Sequence, residues 1–171
     1  MKYYVSDKGV YLGGWIQDPP VGSVEVSEPP QDARQVWNGT EWSGIAAIAA
    51  DVDAERDRRI SAGFEFGGVL FQSRLPDGER SGDWEVFSGK ALEALIAVMG
   101  GAQPGDLRWA DADEDFAWIA ADNSRVPMDA QTVIELGKAA SAHRSRHTFA
   151  GSDLKAQSPI PTDYTDDKWW P

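Results

Sequence analysis

The chain has no cysteine, only two histidines and three methionines, and many fewer basic than acidic residues. Without cysteine there is no disulfide and no thiolate metal site, so any stability outside a cell has to come from packing or oligomerisation. Lys and Arg total 16 against 28 Asp and Glu, a formal net charge of −12. Such a surface repels nucleic-acid phosphates and anionic lipid, and no nucleic-acid partner is expected. The longest largely apolar run, near residues 92–99, falls far short of the roughly 20 residues that span a bilayer, so no membrane insertion is expected. The Met1-Lys2-Tyr3-Tyr4 start lacks an apolar h-region, which predicts no secretory signal and a cytoplasmic protein until something larger carries it out. At 171 residues the chain has room for one domain with a sizeable core, or one plus a small module, and not for two large domains.

Chemistry-bearing motifs are missing too. There is no Gly-rich phosphate loop, no G-x-S-x-G elbow, no Cys nucleophile and no H-E-x-x-H, so no catalytic residue and no cofactor is expected. His143 and His147 are spaced i, i+4 and share a helix face, but no carboxylate lies within a turn of them to complete a metal site. Asp111-Ala112-Asp113-Glu114-Asp115 opens like a calcium loop, yet its sixth position is Phe116 where the loop needs Gly, and its twelfth is Asp122. It reads as a solvated acidic turn. No metal is expected.

What is present is a patterned α+β chain. Over residues 1–44 the spacing predicts short strands: Tyr3-Tyr4-Val5 and Val10-Tyr11-Leu12 around Asp7-Lys8-Gly9, then Gln35-Val36-Trp37 and Glu41-Trp42 around Asn38-Gly39. An Asn-Gly turn with both residues at positive φ is the expectation there. Pro19-Pro20 and Pro29-Pro30 break this region into pieces. A segment of about 45 residues is marginal as an independent fold, so it reads as an arm or docking module.

A helix is predicted over residues 45–60, with acids preceding bases as the helix dipole favours and Gly63 placed to end it. Its arginines, Arg56, Arg58 and Arg59, read as local ion-pair partners. Phe64-Glu65-Phe66 and Val69-Leu70-Phe71 read as strands around Gly67-Gly68, and residues 74–82 as a polar loop. A second helix is expected with Ser88 as cap, Leu92, Leu95, Ile96 and Met99 as its core stripe, and Gly100-Gly101 as its stop. Leu107-Arg108-Trp109 and Phe116-Ala117-Trp118-Ile119 read as strands, with a turn at Asp122-Asn123-Ser124. A third, long helix starts with Asp129 as N-cap and Met128 and Val133 as a hydrophobic staple. Its heptad-like stripe of Val133, Leu136, Ala140, His143, His147, Ala150 and Leu154 packs either on its own domain or on a sister subunit, and Gly151 is expected to weaken its end. The fold class is therefore α+β: a β-hairpin module at 1–44, then a compact domain at 45–171 with three helices and short antiparallel strands.

Eight tryptophans are a high load. Trp109 and Trp118 are expected in the core, and Trp37 and Trp42 stacked across their turn. Trp169 and Trp170 must fold back over the domain or anchor in a partner, since Trp is costly to expose and common at interfaces. Fold-back is the preferred expectation. The candidate interface residues are Trp15, Trp37, Trp42, Ala140, His143, His147, Trp169 and Trp170.

The run from Ala54 through Arg56-Asp57-Arg58-Arg59, Phe64-Glu65-Phe66-Gly67-Gly68 and Phe71-Gln72-Ser73 resembles the opening of a domain of unknown function that recurs in tail-fibre and tail-associated proteins of tailed bacteriophages. Phe116-Ala117-Trp118-Ile119 through Pro127-Met128-Asp129-Ala130-Gln131 resembles its second half. Residues 1–42, with Tyr3-Tyr4, Gly13-Gly14, Pro29-Pro30 and Val36-Trp37-Asn38-Gly39-Thr40-Glu41-Trp42, are similar to the N-terminal module of tail-fibre and fibre-assembly proteins. The resemblance implies a structural part of the virion tail, in a fibre, tail tip or baseplate, that acts in host attachment through protein-protein contacts. It implies other phage tail proteins as partners and a homo-oligomer, trimers being common among such proteins. Host cytoplasm would be its place during assembly. The alternatives are a fibre-assembly chaperone absent from the finished particle and a glycan-binding or glycan-hydrolysing module.

Overall fold

The structure, a computed structural model, describes residues 1–79 and 81–171 and is a mixed α+β fold. The N-terminal region forms one antiparallel sheet of β1 (Lys2–Val5), β2 (Tyr11–Trp15) and β3 (Val24–Val26) in the order β2-β1-β3. The third strand was not expected, although Val-Glu-Val alternates as a strand should. The Asn-Gly turn differs from expectation as well. Only Gly39 takes positive φ, and the paired Trp37 and Trp42 enclose four residues. The Asn38 side chain accepts from the Thr40 and Glu41 backbone N–H groups, both at 2.9 Å, and this local bonding replaces the two-residue turn. Gly9 is required where it stands: Trp37 N–H donates to its carbonyl at 2.9 Å, and a Cβ there would lie 2.0 Å from the Trp37 carbonyl oxygen. Val5 and Val26 are the buried apolar side chains of residues 1–44.

From Ala49 the chain builds α1 (Ala49–Ser61), the hairpin β4 (Phe64–Phe66) and β5 (Val69–Phe71), α2 (Asp83–Met99), the hairpin β6 (Ala117–Ile119) and β7 (Arg125–Pro127), and α3 (Ala130–Lys155). Helix α1 begins four residues later than expected. Its first turn is organised by Asp51, whose carboxylate accepts the Ile48 N–H at 2.9 Å and also receives Arg34 at 2.5 Å. Arg34 in turn donates to the Ala46 carbonyl and to both oxygens of Asp32, tying the N-terminal region to the start of the helix. This pairing holds the Asp32 carboxyl at about 2. Gly67 and Gly68 both have positive φ, at 59° and 78°, as a tight two-residue hairpin between Phe66 and Val69 demands.

Helix α3 is the spine, with α2 and α1 packed along it. Asp129 caps it as expected, accepting from Thr132 N–H at 2.8 Å while its other oxygen receives Gly105 N–H at 2.7 Å. Phe64, Phe71, Phe87, Met128, Val133 and Leu136 form the main core, each contributing on the order of 1.5–3 kcal/mol by burial. A smaller cluster joins Val52, Leu154 and Trp170. Helix α3 continues through Gly151 to Lys155, and a Cβ at that glycine would lie 3.6 Å from Arg56 and from Trp170.

Three further expectations are corrected. Ser88 is not a cap: α2 starts at Asp83 after Gly82, and the Ser88 hydroxyl donates back to the Trp84 and Glu85 carbonyls. The stripe of Leu92, Leu95, Ile96 and Met99 is not core but faces outward, and Phe87 and Ala94 are buried instead. The reason is the approach of α3, where a Cβ on Gly137 would stand 2.7 Å from the Ala91 Cβ, so only small residues fit between the helices. Leu107-Arg108-Trp109 is not a strand. Asp106 draws the Arg108 N–H into a turn, and the Trp109 indole donates to the Met128 carbonyl at 3.0 Å. In the expected loop at 74–82, Arg80 lies outside the described residues.

Candidate functional site

The structure buries four of the expected interface residues, half-buries three and leaves one exposed. Ala140, His143 and His147 lie inside the chain's own packing, with Ala140 only 2% exposed. They present little surface to a second subunit, because α3 turns that stripe toward α1, α2 and β4. Trp170 folds back as expected and is 7% exposed, its indole N–H donating to the Tyr164 carbonyl at 2.7 Å. Trp169 is half-buried and donates to Asp163 at 3.1 Å. In the N-terminal region Trp37 and Trp42 are half-buried, packed edge to face at 5.5 Å and 66°, so they make no coplanar platform for a sugar ring. Trp15 is exposed at the end of β2.

The polar groups that link α1 to the segment around Trp170 form one connected set, with Glu55 and Arg59 largely buried and Arg58 and Asp167 exposed. Glu55 on α1 receives Arg58 through Nε and Nη2 at 2.7 and 2.6 Å, and Arg59 Nε at 2.6 Å. Arg58, with Arg59 beside it, holds the Glu55 carboxyl below its ordinary range. Arg59 continues to the Thr165 carbonyl and to Asp167, both at 2.8 Å, with its guanidinium 5.3 Å from the Trp170 ring. The arginine cluster forms the expected local ion pairs, extended by this link to the C-terminal segment.

The histidines are fixed by the same packing. His143 Nε2–H donates to the Ile60 carbonyl at 3.1 Å, and its ring stacks on Phe64. His147 Nδ1–H donates to the His143 carbonyl at 2.9 Å. A carbonyl only accepts, so both nitrogens carry protons. Burial holds His143 below the ordinary histidine range, against the pull of the Ile60 hydrogen bond. An open cleft of about 510 Å³ beside them is lined by Arg58, Arg59, Glu65, Arg146 and Asp167, a mixed-sign wall whose Arg58 and Arg59 already hold carboxylates. Among the described residues no group of three His, Cys, Asp or Glu is placed to hold a metal ion, and no helix is long and apolar enough to cross a membrane.

The surface that stands out is the outer face of α2. Leu92 is 60% exposed, Leu95 45%, Ile96 62% and Met99 81%. Lys90 and Glu93 on its flank pair with each other at 2.7 Å. Around the helix from this face, Val86 and Ile119 are exposed beside a cleft of about 370 Å³ floored by Phe87 and Trp118, whose rings stack at 4.8 Å. Isolated exposed apolar residues are ordinary, whereas here four lie together on one helix face. The sequence carried a signal for it: from Ala91 to Met99 every position of α2 but Glu93 is apolar, which one packed face does not require.

No curated protein and no solved structure matches the chain. Residues 45–168, which include α1, α2, α3 and both of their intervening hairpins, match a protein family, and on that match the chain belongs to the family described as "Domain of unknown function (DUF4376)".

Proposed function

We propose that this protein is a structural component of a bacteriophage tail, in a fibre, tail tip or baseplate, acting in host attachment through contacts with other tail proteins rather than through catalysis. The observation that carries the reading is the uncovered apolar face of α2, which a protein working by association needs and an isolated one does not. The resemblance of both halves of the domain, and of the N-terminal region, to tail-associated proteins supplies the setting. The N-terminal sheet, with Leu12, Trp15, Ile16 and Val21 exposed, serves as the docking arm to the tail, and the helical domain meets its neighbours there.

Peptide mass spectrometry on purified, salt-washed particles tests the reading, with spectral counts set against a tail-tube standard. A stoichiometric presence in a small integer multiple is expected. Absence from particles combined with abundance in infected cells overturns it in favour of a fibre-assembly chaperone.

A further inference from the structure

Helix α2 carries two apolar stripes, and the chain covers only one of them. Phe87, Ala91, Ala94 and Val98 face α3 and the core, while Leu92, Leu95, Ile96 and Met99 face outward. We infer that the outer stripe is covered by α2 of a second copy of this chain, packed antiparallel about a two-fold axis that passes near Leu92. The inference rests on reading this face as a contact surface, and not on the tail assignment.

Shape, charge and area select that occupant. With Leu92 at the axis, an antiparallel pair brings Ile96 over Ser88 of the second copy and Leu95 over its Gly89, large side chains against the smallest ones on the same face, and sets Met99 beside its Glu85 at the two ends of the seam. Small residues at these points let two helices approach closely and interdigitate. Glu85 is the acidic residue at the N-terminal end of the face and is exposed. A parallel pair, or a parallel trimer, would set Glu85 against its own copies, whereas the antiparallel pair separates them by about 20 Å along the helices. That exceeds the Debye length of about 8 Å at physiological salt, so the repulsion is screened. The match matters in a chain of net charge −12, where most faces of a second copy are repulsive.

The area is sufficient. From the exposed fractions of these four side chains and the small residues between them, complete coverage of the face buries roughly 1,000 Å² over two copies, the lower bound for a specific interface. A two-fold contact uses the same patch on both copies, so the pair closes and leaves no open apolar edge.

Sedimentation of the full chain over a concentration series tests this. A dimer that dissociates on dilution is expected. Leu92→Glu should raise the dissociation constant on the order of 100-fold, because it buries an uncompensated carboxylate from each copy in an apolar seam. Since Leu92 is more than half exposed, the unfolding midpoint of the dilute monomer should not move. The chain has no cysteine, so Leu92→Cys introduces a single thiol; mild oxidation should link it to a second copy, and Glu85→Cys should not link. A monomer at every concentration, a trimer, or Glu85→Cys linking more readily than Leu92→Cys overturns the antiparallel pair. A monomer that is present in particles defeats the pair and leaves the tail reading standing; a dimer absent from particles does the reverse.

Discussion

A Cβ placed on Gly137 of α3 would stand 2.7 Å from the Cβ of Ala91 on α2, and this single approach decides which side of α2 is core. The distance is closer than two carbons sit in a packed interior, and neither atom is the end of a flexible side chain. Gly137→Ala sets two effects against each other. Helix propensity favours alanine by about 1 kcal/mol, while forcing a methyl into a closed contact costs about 1–3 kcal/mol. Net destabilisation of up to about 2 kcal/mol in urea unfolding is expected, with partial recovery on adding Ala91→Gly. A stabilised single variant would show that the helices are free to separate.

The two stripes of α2 should respond differently to truncation. Phe87→Ala removes a buried ring stacked on Trp118 and is expected to cost about 3–5 kcal/mol. Ile96→Ser, at an exposed position, should stay within about 0.5 kcal/mol in the dilute monomer. Equal losses would place both stripes in the core.

Glu55 and Arg58 are paired, yet they are unequal. Glu55→Gln leaves Arg59, itself largely buried, without its nearest carboxylate, and about 2 kcal/mol should be lost. Arg58 is well exposed, so Arg58→Ala should cost less than about 1 kcal/mol. Unfolding free energies for the two variants, measured at neutral pH, give the comparison. Losses of the same size would mean that burial does not govern this cluster.

Trp170 and Trp169 are neighbours with different roles. Trp170→Ala should cost about 3 kcal/mol by opening the cluster with Val52 and Leu154. Trp169→Ala should cost about 1 kcal/mol, since its ring is half solvated. Limited proteolysis of residues 158–171 should accelerate in the first variant only.

The pH dependence follows from His143. Its folded-state pKa is depressed, so the unfolded chain takes up the proton first and stability falls as pH drops from about 6.5 through the folded value. Carboxylates held low, Glu55 and Asp129 among them, add their loss only below the ordinary carboxylate range near 4. His143→Phe keeps the ring beside Phe64 but gives up the Ile60 hydrogen bond, at about 1 kcal/mol. Its unfolding free energy should be flatter than the parent's between roughly pH 7 and 5. An unchanged slope would assign the effect elsewhere.

Elements whose causes lie within a few residues were legible in the sequence. The Gly67-Gly68 hairpin needs two positive φ angles and two glycines supply them. Asp129 caps α3 because its carboxylate reaches Thr132 three residues on, and Gly63, at φ 94°, follows the end of α1 for the same kind of local reason. The return of Trp170 to the domain was readable from the expense of exposing an indole, but not the residues it meets. Interactions between distant segments settled the rest. Periodicity picked out Leu92, Leu95, Ile96 and Met99 as the core stripe of α2; the close approach of Gly137 admitted the smaller side chains instead and turned those four outward. His143 and His147 shared a face on sequence spacing alone, and that face became interior because Phe64, Ile60 and Trp170 close over it from three other parts of the chain. Helical spacing fixes which side chains share a face, and the closest approach between helices fixes which face is buried.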